Sequence, residues 1–148
     1  MKSLPMMGLV MAAAFWTVQA NSQELTGTLK KVKETGTITI GYRDSSIPFS
    51  YLDDNQKPIG FAIDICLSIV DAVKKELKLD QLRVEFNPVT SSTRIPLLSN
   101  GTIDLECGST TNNPERLKQV AFTNTHFLTA TRFVSKKTSN LKIGRAHV

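Results

Sequence analysis

"IGFAIDICLSIVDAVKKEL", residues 59–77, carries the strongest periodic signal in the chain. Phe61, Ile65, Ile69, Val73 and Leu77 recur at every fourth position, and Cys66 and Val70 widen the stripe. This spacing predicts an amphipathic helix whose apolar face belongs to a core. Asp64 in the first turn and Lys74, Lys75 and Lys78 in the last match the helix dipole at both ends. Strand patterns flank it. Ile38 and Ile40 alternate with Thr37 and Thr39 up to about Tyr42, and Leu82, Val84 and Phe86 alternate downstream. "SSTRIPLLSNG", 91–101, reads as a short helix with hydroxyl caps and a glycine stop. Ile103, Leu105 and Cys107 then form a third strand, broken by Gly108. Strand, helix, strand, helix, strand predicts an α/β domain with a mainly parallel sheet flanked by helices.

Weaker signals complete the outline. Leu29, Val32 and the surrounding lysines suggest a short helix ended by Gly36. "FSYL" and "IGF" flank a polar turn over 53–58, as two short strands do. Asn113-Pro114 opens a helical turn, and "FLTATRFVS", 127–135, resumes an extended pattern.

The chain has 148 residues, 41% of them apolar and 21% charged, as in a soluble globular protein of one ordinary domain. Its net charge of +5 is spread without a run of like charges, which argues against nucleic-acid binding. Residues 1–20 read as a secretory signal peptide: Lys2, an uncharged apolar stretch from Leu4 to Val18, and small or modest residues at Val18-Gln19-Ala20, with cleavage expected after Ala20. That stretch is shorter than the ~20 apolar residues of a membrane span. The mature chain is therefore expected free in an oxidising compartment outside the cytoplasm. Cys66 and Cys107 meet oxidising conditions there, though two cysteines alone leave their pairing open. No His or Cys pair has metal-ligand spacing, so no metal and no cofactor are expected.

The segment 142–148, "KIGRAHV", has no structural logic of its own. One back-translation of its last six residues, ATCGGAAGAGCACACGTC, matches the start of a common sequencing adapter. We read 142–148 as an adapter-derived tail and expect the gene to continue in its place. Resequencing the locus from an independent library should lose "IGRAHV"; recovery of those codons followed by a stop contradicts the reading.

Three polar stretches fall at the carboxyl ends of the predicted strands: Arg43 to Ser46, Thr90 to Arg94, and Gly108 to Thr111. In open α/β sheets ligands gather at that edge. Hydroxyls and backbone N–H groups at a helix start attract anions, and the planar fork of an arginine suits a carboxylate. Two arginines on one edge suit a small acid with a carboxylate at each end.

"LKKVKETGTITIGYRDSSIPFSYLDDNQKPIGFAIDICLSIVDAV" and "SSTRIPLLSNGTIDLECGSTTNNPERLKQVAFT" resemble the periplasmic amino-acid-binding proteins of ABC uptake systems, solute-binding protein family 3. Within that family they are most similar to the glutamate/aspartate-binding proteins, over about Leu25 to Leu141. The resemblance implies a type II periplasmic-binding-protein-like fold in which residues 21–141 are an incomplete first lobe. A second lobe, missing here, closes on the ligand by a hinge and supplies the partner of its ammonium group. The resemblance implies that Arg94 grips the α-carboxylate, with Ser91 and either Ser109 or Thr111 donating beside it. It places Arg43 against the side-chain carboxylate of glutamate or aspartate. It also implies a periplasmic monomer that hands its ligand to a membrane permease and performs no catalysis. Two alternatives share the fold: a cyclohexadienyl dehydratase-like enzyme and the sensing domain of a membrane receptor. His126, the sole histidine outside the tail, has no Ser or Asp beside it in "NTHFLT" to make an acid–base pair.

Overall fold

The computed structural model describes residues 24–130 with 134, 136 and 138. The leader 1–20, the tail 142–148 and most of the stretch expected to be extended beyond Ala130 lie outside the described residues. The chain begins with helix α1 (Gly27–Thr35) and strand β1 (Thr37–Tyr42), followed by the short strands β2 (Ser45–Ser46), β3 (Ser50–Leu52) and β4 (Pro58–Ile59). Helix α2 (Phe61–Glu76), β5 (Arg83–Pro88), α3 (Arg94–Ser99), β6 (Leu105–Cys107) and α4 (Pro114–Leu117) complete it. Gly36, at φ 63°, ends α1 with its N–H on the Val32 carbonyl at 2.9 Å. That left-handed turn is one that glycine makes without steric cost.

β5, β1 and β6 form a parallel sheet in that order, with Tyr42 opposite both Pro88 and Cys107. The chain leaves central β1 towards one side, then crosses from β5 to the other. Such a reversal of strand order opens a crevice at the carboxyl ends of the two diverging strands, here β1 and β6. β2, β3 and β4 make a small antiparallel sheet beside it. β2 was not expected from sequence, since two residues carry no periodicity.

The core joins Val32 of α1, Ile38 and Ile40 of β1, Ile63, Cys66 and Val70 of α2, Leu77, and Cys107 of β6. α2 forms as expected, but its buried face differs from the predicted stripe. Ala62, Ile63, Cys66 and Val70 are buried, whereas Phe61 is 42% exposed and Ile65 and Ile69 are half-buried. The reason is geometric. A four-residue step turns a helix by about 400°, so a strict fourth-residue series drifts by about 40° per step. From Phe61 to Leu77 the drift approaches a half-turn, and the two ends of the series cannot share a face.

The alternation of Ile103, Leu105 and Cys107, which runs from just before β6 to its end, marks one face of this segment. Asp104 is buried too: its carboxylate accepts the Thr39 N–H at 2.9 Å and pairs with Lys31 Nζ at 3.0 Å. A strand of a parallel sheet commonly buries both its faces, and polar residues on the second face then need partners.

Cys66 and Cys107 form a disulfide across a separation of 41 residues. It ties α2 to the end of β6 from which Gly108–Thr111 departs. Closing a loop of that length restrains the unfolded chain by about 4 kcal/mol in the entropic account. In the full-length chain, the Cys66→Ser, Cys107→Ser double variant should lose stability of that order in urea denaturation. A midpoint equal to that of the oxidised parent contradicts this.

Candidate functional site

Arg43 follows β1 directly, and Ser50 fixes its backbone. The Arg43 N–H donates to Ser50 Oγ at 2.8 Å, and that hydroxyl donates back to the Arg43 carbonyl at 3.1 Å. Ser50 is fully buried, so the exchange holds the end of β1 in one place. From there the Arg43 guanidinium reaches Ser91, with Nη1 donating to Oγ at 3.0 Å.

Ser91 lies in the turn after β5, which Thr90 and Thr93 close reciprocally. The Thr90 N–H donates to Thr93 Oγ1 at 2.9 Å and the Thr93 N–H to Thr90 Oγ1 at 3.2 Å. This is the logic of a capping box, with threonine in place of the usual acid. α3 follows this turn directly, from Arg94, with Thr93 at its N-cap position. α3 has only six residues, so its dipole is small and the anion-attracting groups are the side chains themselves.

Arg94, the first-turn arginine expected to suit a carboxylate, is buried, 7% exposed. Its Nη1 stands 3.7 Å from Glu106 Oε1, and both side chains are less than a tenth exposed. At that distance the two are an ion pair without a hydrogen bond, and neither atom has another hydrogen-bond partner among the described residues. Burial lowers the Arg94 pKa from its ordinary value; Glu106 opposes this, while Arg116 and Arg43 add to it as like charges. Arg94 thus feels two like charges and pairs with one internal carboxylate.

After β6, Ser109 shares a hydrogen bond of 2.8 Å with Ser46. Asn113 caps α4 by accepting the Arg116 N–H at 2.9 Å, and Arg116 Nη1 returns to the Thr111 carbonyl at 2.8 Å. Gly108 starts this loop, and a Cβ there would stand 2.7 Å from Glu106 Oε1 and 3.0 Å from Arg43 Cγ. A side chain there would have to push the Glu106 carboxylate aside. A groove of about 320 Å³ continues from Ser109 and Thr111 to Phe49, Phe127 and His126. Phe127 packs edge-on against Phe49 at 4.8 Å, and His126 lies tilted on Phe61 at 5.7 Å. Arg43 and Arg94 do not line this groove; the hydroxyl loop borders it.

The five residues singled out from sequence, Arg43, Ser91, Arg94, Ser109 and Thr111, thus come to one edge of the sheet. Three others were not anticipated. Ser50 acts on backbone across a hairpin, a relation that no local pattern records. Arg116 was passed over inside a helical turn that its cap already explained. Glu106 lies between the alternating Leu105 and Cys107, a place that sequence alone does not mark as buried.

A parallel sheet with a strand-order reversal, and arginines and hydroxyls gathered at its carboxyl edge, defines one lobe of a type II periplasmic-binding-protein-like fold. The chain belongs to the bacterial extracellular solute-binding proteins, family 3, whose family model matches residues 38–145. The match ends inside the tail set apart above. The L-glutamate/L-aspartate-binding protein of Pseudomonas aeruginosa is 57% identical over 138 residues, which are 93% of this chain and 46% of that protein. The chain therefore spans less than half the length of this relative. An arginine-bound form of domain 1 from TmArgBP superposes with a TM-score of 0.58 at 25% identity, covering 67% of this chain and 71% of that one. An ancestral cyclohexadienyl dehydratase gives a TM-score of 0.55 at 30% identity, covering 64% of this chain and 36% of the other. Among the described residues no helix is long and apolar enough to cross a membrane.

Proposed function

We propose that residues 21–141 form the first lobe of a periplasmic protein that captures glutamate or aspartate for an ABC importer. The observation that carries the reading is the gathering of Arg43, Arg94 and Arg116 at one sheet edge, where Ser91 accepts from Arg43, Ser109 pairs with Ser46 and the Thr111 carbonyl accepts from Arg116. A dicarboxylate amino acid has two anionic ends for such a cluster. On this reading Arg43 receives the side-chain carboxylate. Arg94, with Arg116 beside it, receives the α-carboxylate. A second lobe closes over the ligand, binds its ammonium group and completes the surface offered to the permease. The protein works as a monomer after removal of residues 1–20. The name of the Pseudomonas relative supports the ligand class.

The likeness to an ancestral dehydratase supplies a second reading, an enzyme acting on a small acid. Shared fold is its only support, and fold alone does not assign chemistry. The His126 ring lies against Phe61.

Ligand-induced stabilisation tests both readings in the full-length chain. Only compounds that bind the folded state raise its melting temperature. In a panel of the common amino acids, glutamate and aspartate should give the largest shifts and be recovered unchanged. A larger shift with a basic or amide side chain, or turnover of a cyclohexadienyl acid, contradicts the proposal.

A further inference from the structure

We infer that Glu106 is a charge-setting member of this site: an internal carboxylate that tunes how strongly the arginine cluster prefers acidic over neutral amino acids. The inference rests on the ligand class proposed above and concerns a residue that the ligand assignment does not use. Glu106 is the middle residue of β6, between Leu105 and Cys107, and its carboxylate is buried where that strand reaches the site edge. It lies 3.7 Å from Arg94 Nη1, and it occupies the space that Gly108 leaves open next to the Arg43 side chain. It is therefore the direct ion-pair partner of Arg94 and lies beside the aliphatic stem of Arg43.

Three guanidinium groups against one carboxylate leave a net charge of 3 − 1 = +2 in the cluster. That balance equals the two carboxylates of an acidic amino acid. Without Glu106 the empty site would hold three mutually repelling cations, two of them partly or wholly out of water. The geometry also shows how Glu106 compensates charge without consuming the site. At 3.7 Å it forms no hydrogen bond to Arg94, whose buried Nη1 and Nε have no hydrogen-bond partner among the described residues. Glu106 repels an incoming carboxylate while it steadies the arginine. The same residue thus lowers the affinity for anions and keeps the empty site folded, a combination that suits a protein that must release its cargo.

Glu106→Gln removes the charge and keeps the shape and an acceptor oxygen. Calorimetric titration of the full-length chain with glutamate and with glutamine gives an affinity ratio for each variant. Glu106→Gln should raise the glutamate-to-glutamine ratio by on the order of tenfold, the scale of one unit charge several ångströms away in a partly shielded site. Glu106→Asp withdraws the carboxylate by one methylene and should raise the ratio in the same direction by about two- to threefold. It carries the test if the glutamine variant does not fold. A merely structural Glu106 would weaken both ligands alike, so an unchanged or lower ratio overturns the inference. A parent chain with no preference for glutamate would instead overturn the proposed ligand class, which separates the two failures.

Discussion

Arg94→Met should abolish useful capture of every amino-acid ligand and destabilise the empty protein at the same time. The two losses have different causes. The binding loss follows from removing a desolvated partner of the ligand's α-carboxylate. Such truncations cost about 2–5 kcal/mol, a weakening of roughly thirty- to several thousand-fold. The stability loss comes from Glu106. With Arg94 gone, its carboxylate, in a side chain only 9% exposed, keeps its burial and loses its ion-pair partner. Breaking a buried pair from one side typically costs about 3–5 kcal/mol. Urea denaturation and calorimetric titration of the full-length variant measure the two effects. The double variant Arg94→Met, Glu106→Gln separates them: it should regain most of the stability and none of the binding. A single variant within about 1 kcal/mol of the parent in stability would show that Glu106 finds another partner. Retained glutamate affinity would remove Arg94 from the site.

The sequence carried the order of the fold clearly and its phase less well. Ile38 and Ile40, Val84 and Phe86, and Leu105 and Cys107 announced three strands because apolar alternation is a local property that survives any tertiary arrangement. The strand ends then located Arg43, Ser91, Arg94, Ser109 and Thr111, since a parallel sheet sends all its carboxyl ends to one edge. The buried side of α2 was less legible. A stripe of Phe61, Ile65 and Ile69 looks continuous in one dimension but winds round the helix by about 40° per step. Glu106 and Asp104 were hidden for a related reason. Alternation tells which residues share a face, not whether the second face is covered. A buried acid becomes intelligible only when its cation is seen, and Arg94 and Lys31 lie 12 and 73 residues away in the chain from Glu106 and Asp104 respectively.

Arg43→Ser is the second large effect, and its value lies in its selectivity. Arg43 is half-buried at a strand end, outside the core cluster, and its backbone is held by Ser50. The shorter side chain should leave no core cavity; the lost Ser91 hydrogen bond should cost about 1 kcal/mol of stability, and the fold should be kept. Glutamate and aspartate should nonetheless weaken by roughly thirty- to several thousand-fold, the usual cost of deleting one partner from a desolvated charge pair. Glutamine and asparagine have no side-chain charge for Arg43 to meet, so their affinities should change little. Loss of the Nη1 contact to Ser91 applies to all ligands equally and cancels in the comparison.

The most direct test of acidic capture at this arginine edge is calorimetric titration of glutamate and glutamine into the full-length parent and its Arg43→Ser variant. The account predicts that the parent strongly prefers glutamate and that the variant loses most of this preference through weaker glutamate binding. Equal glutamate affinity in parent and variant would contradict it, leaving Arg43 as a loop charge and placing acidic specificity elsewhere in the protein.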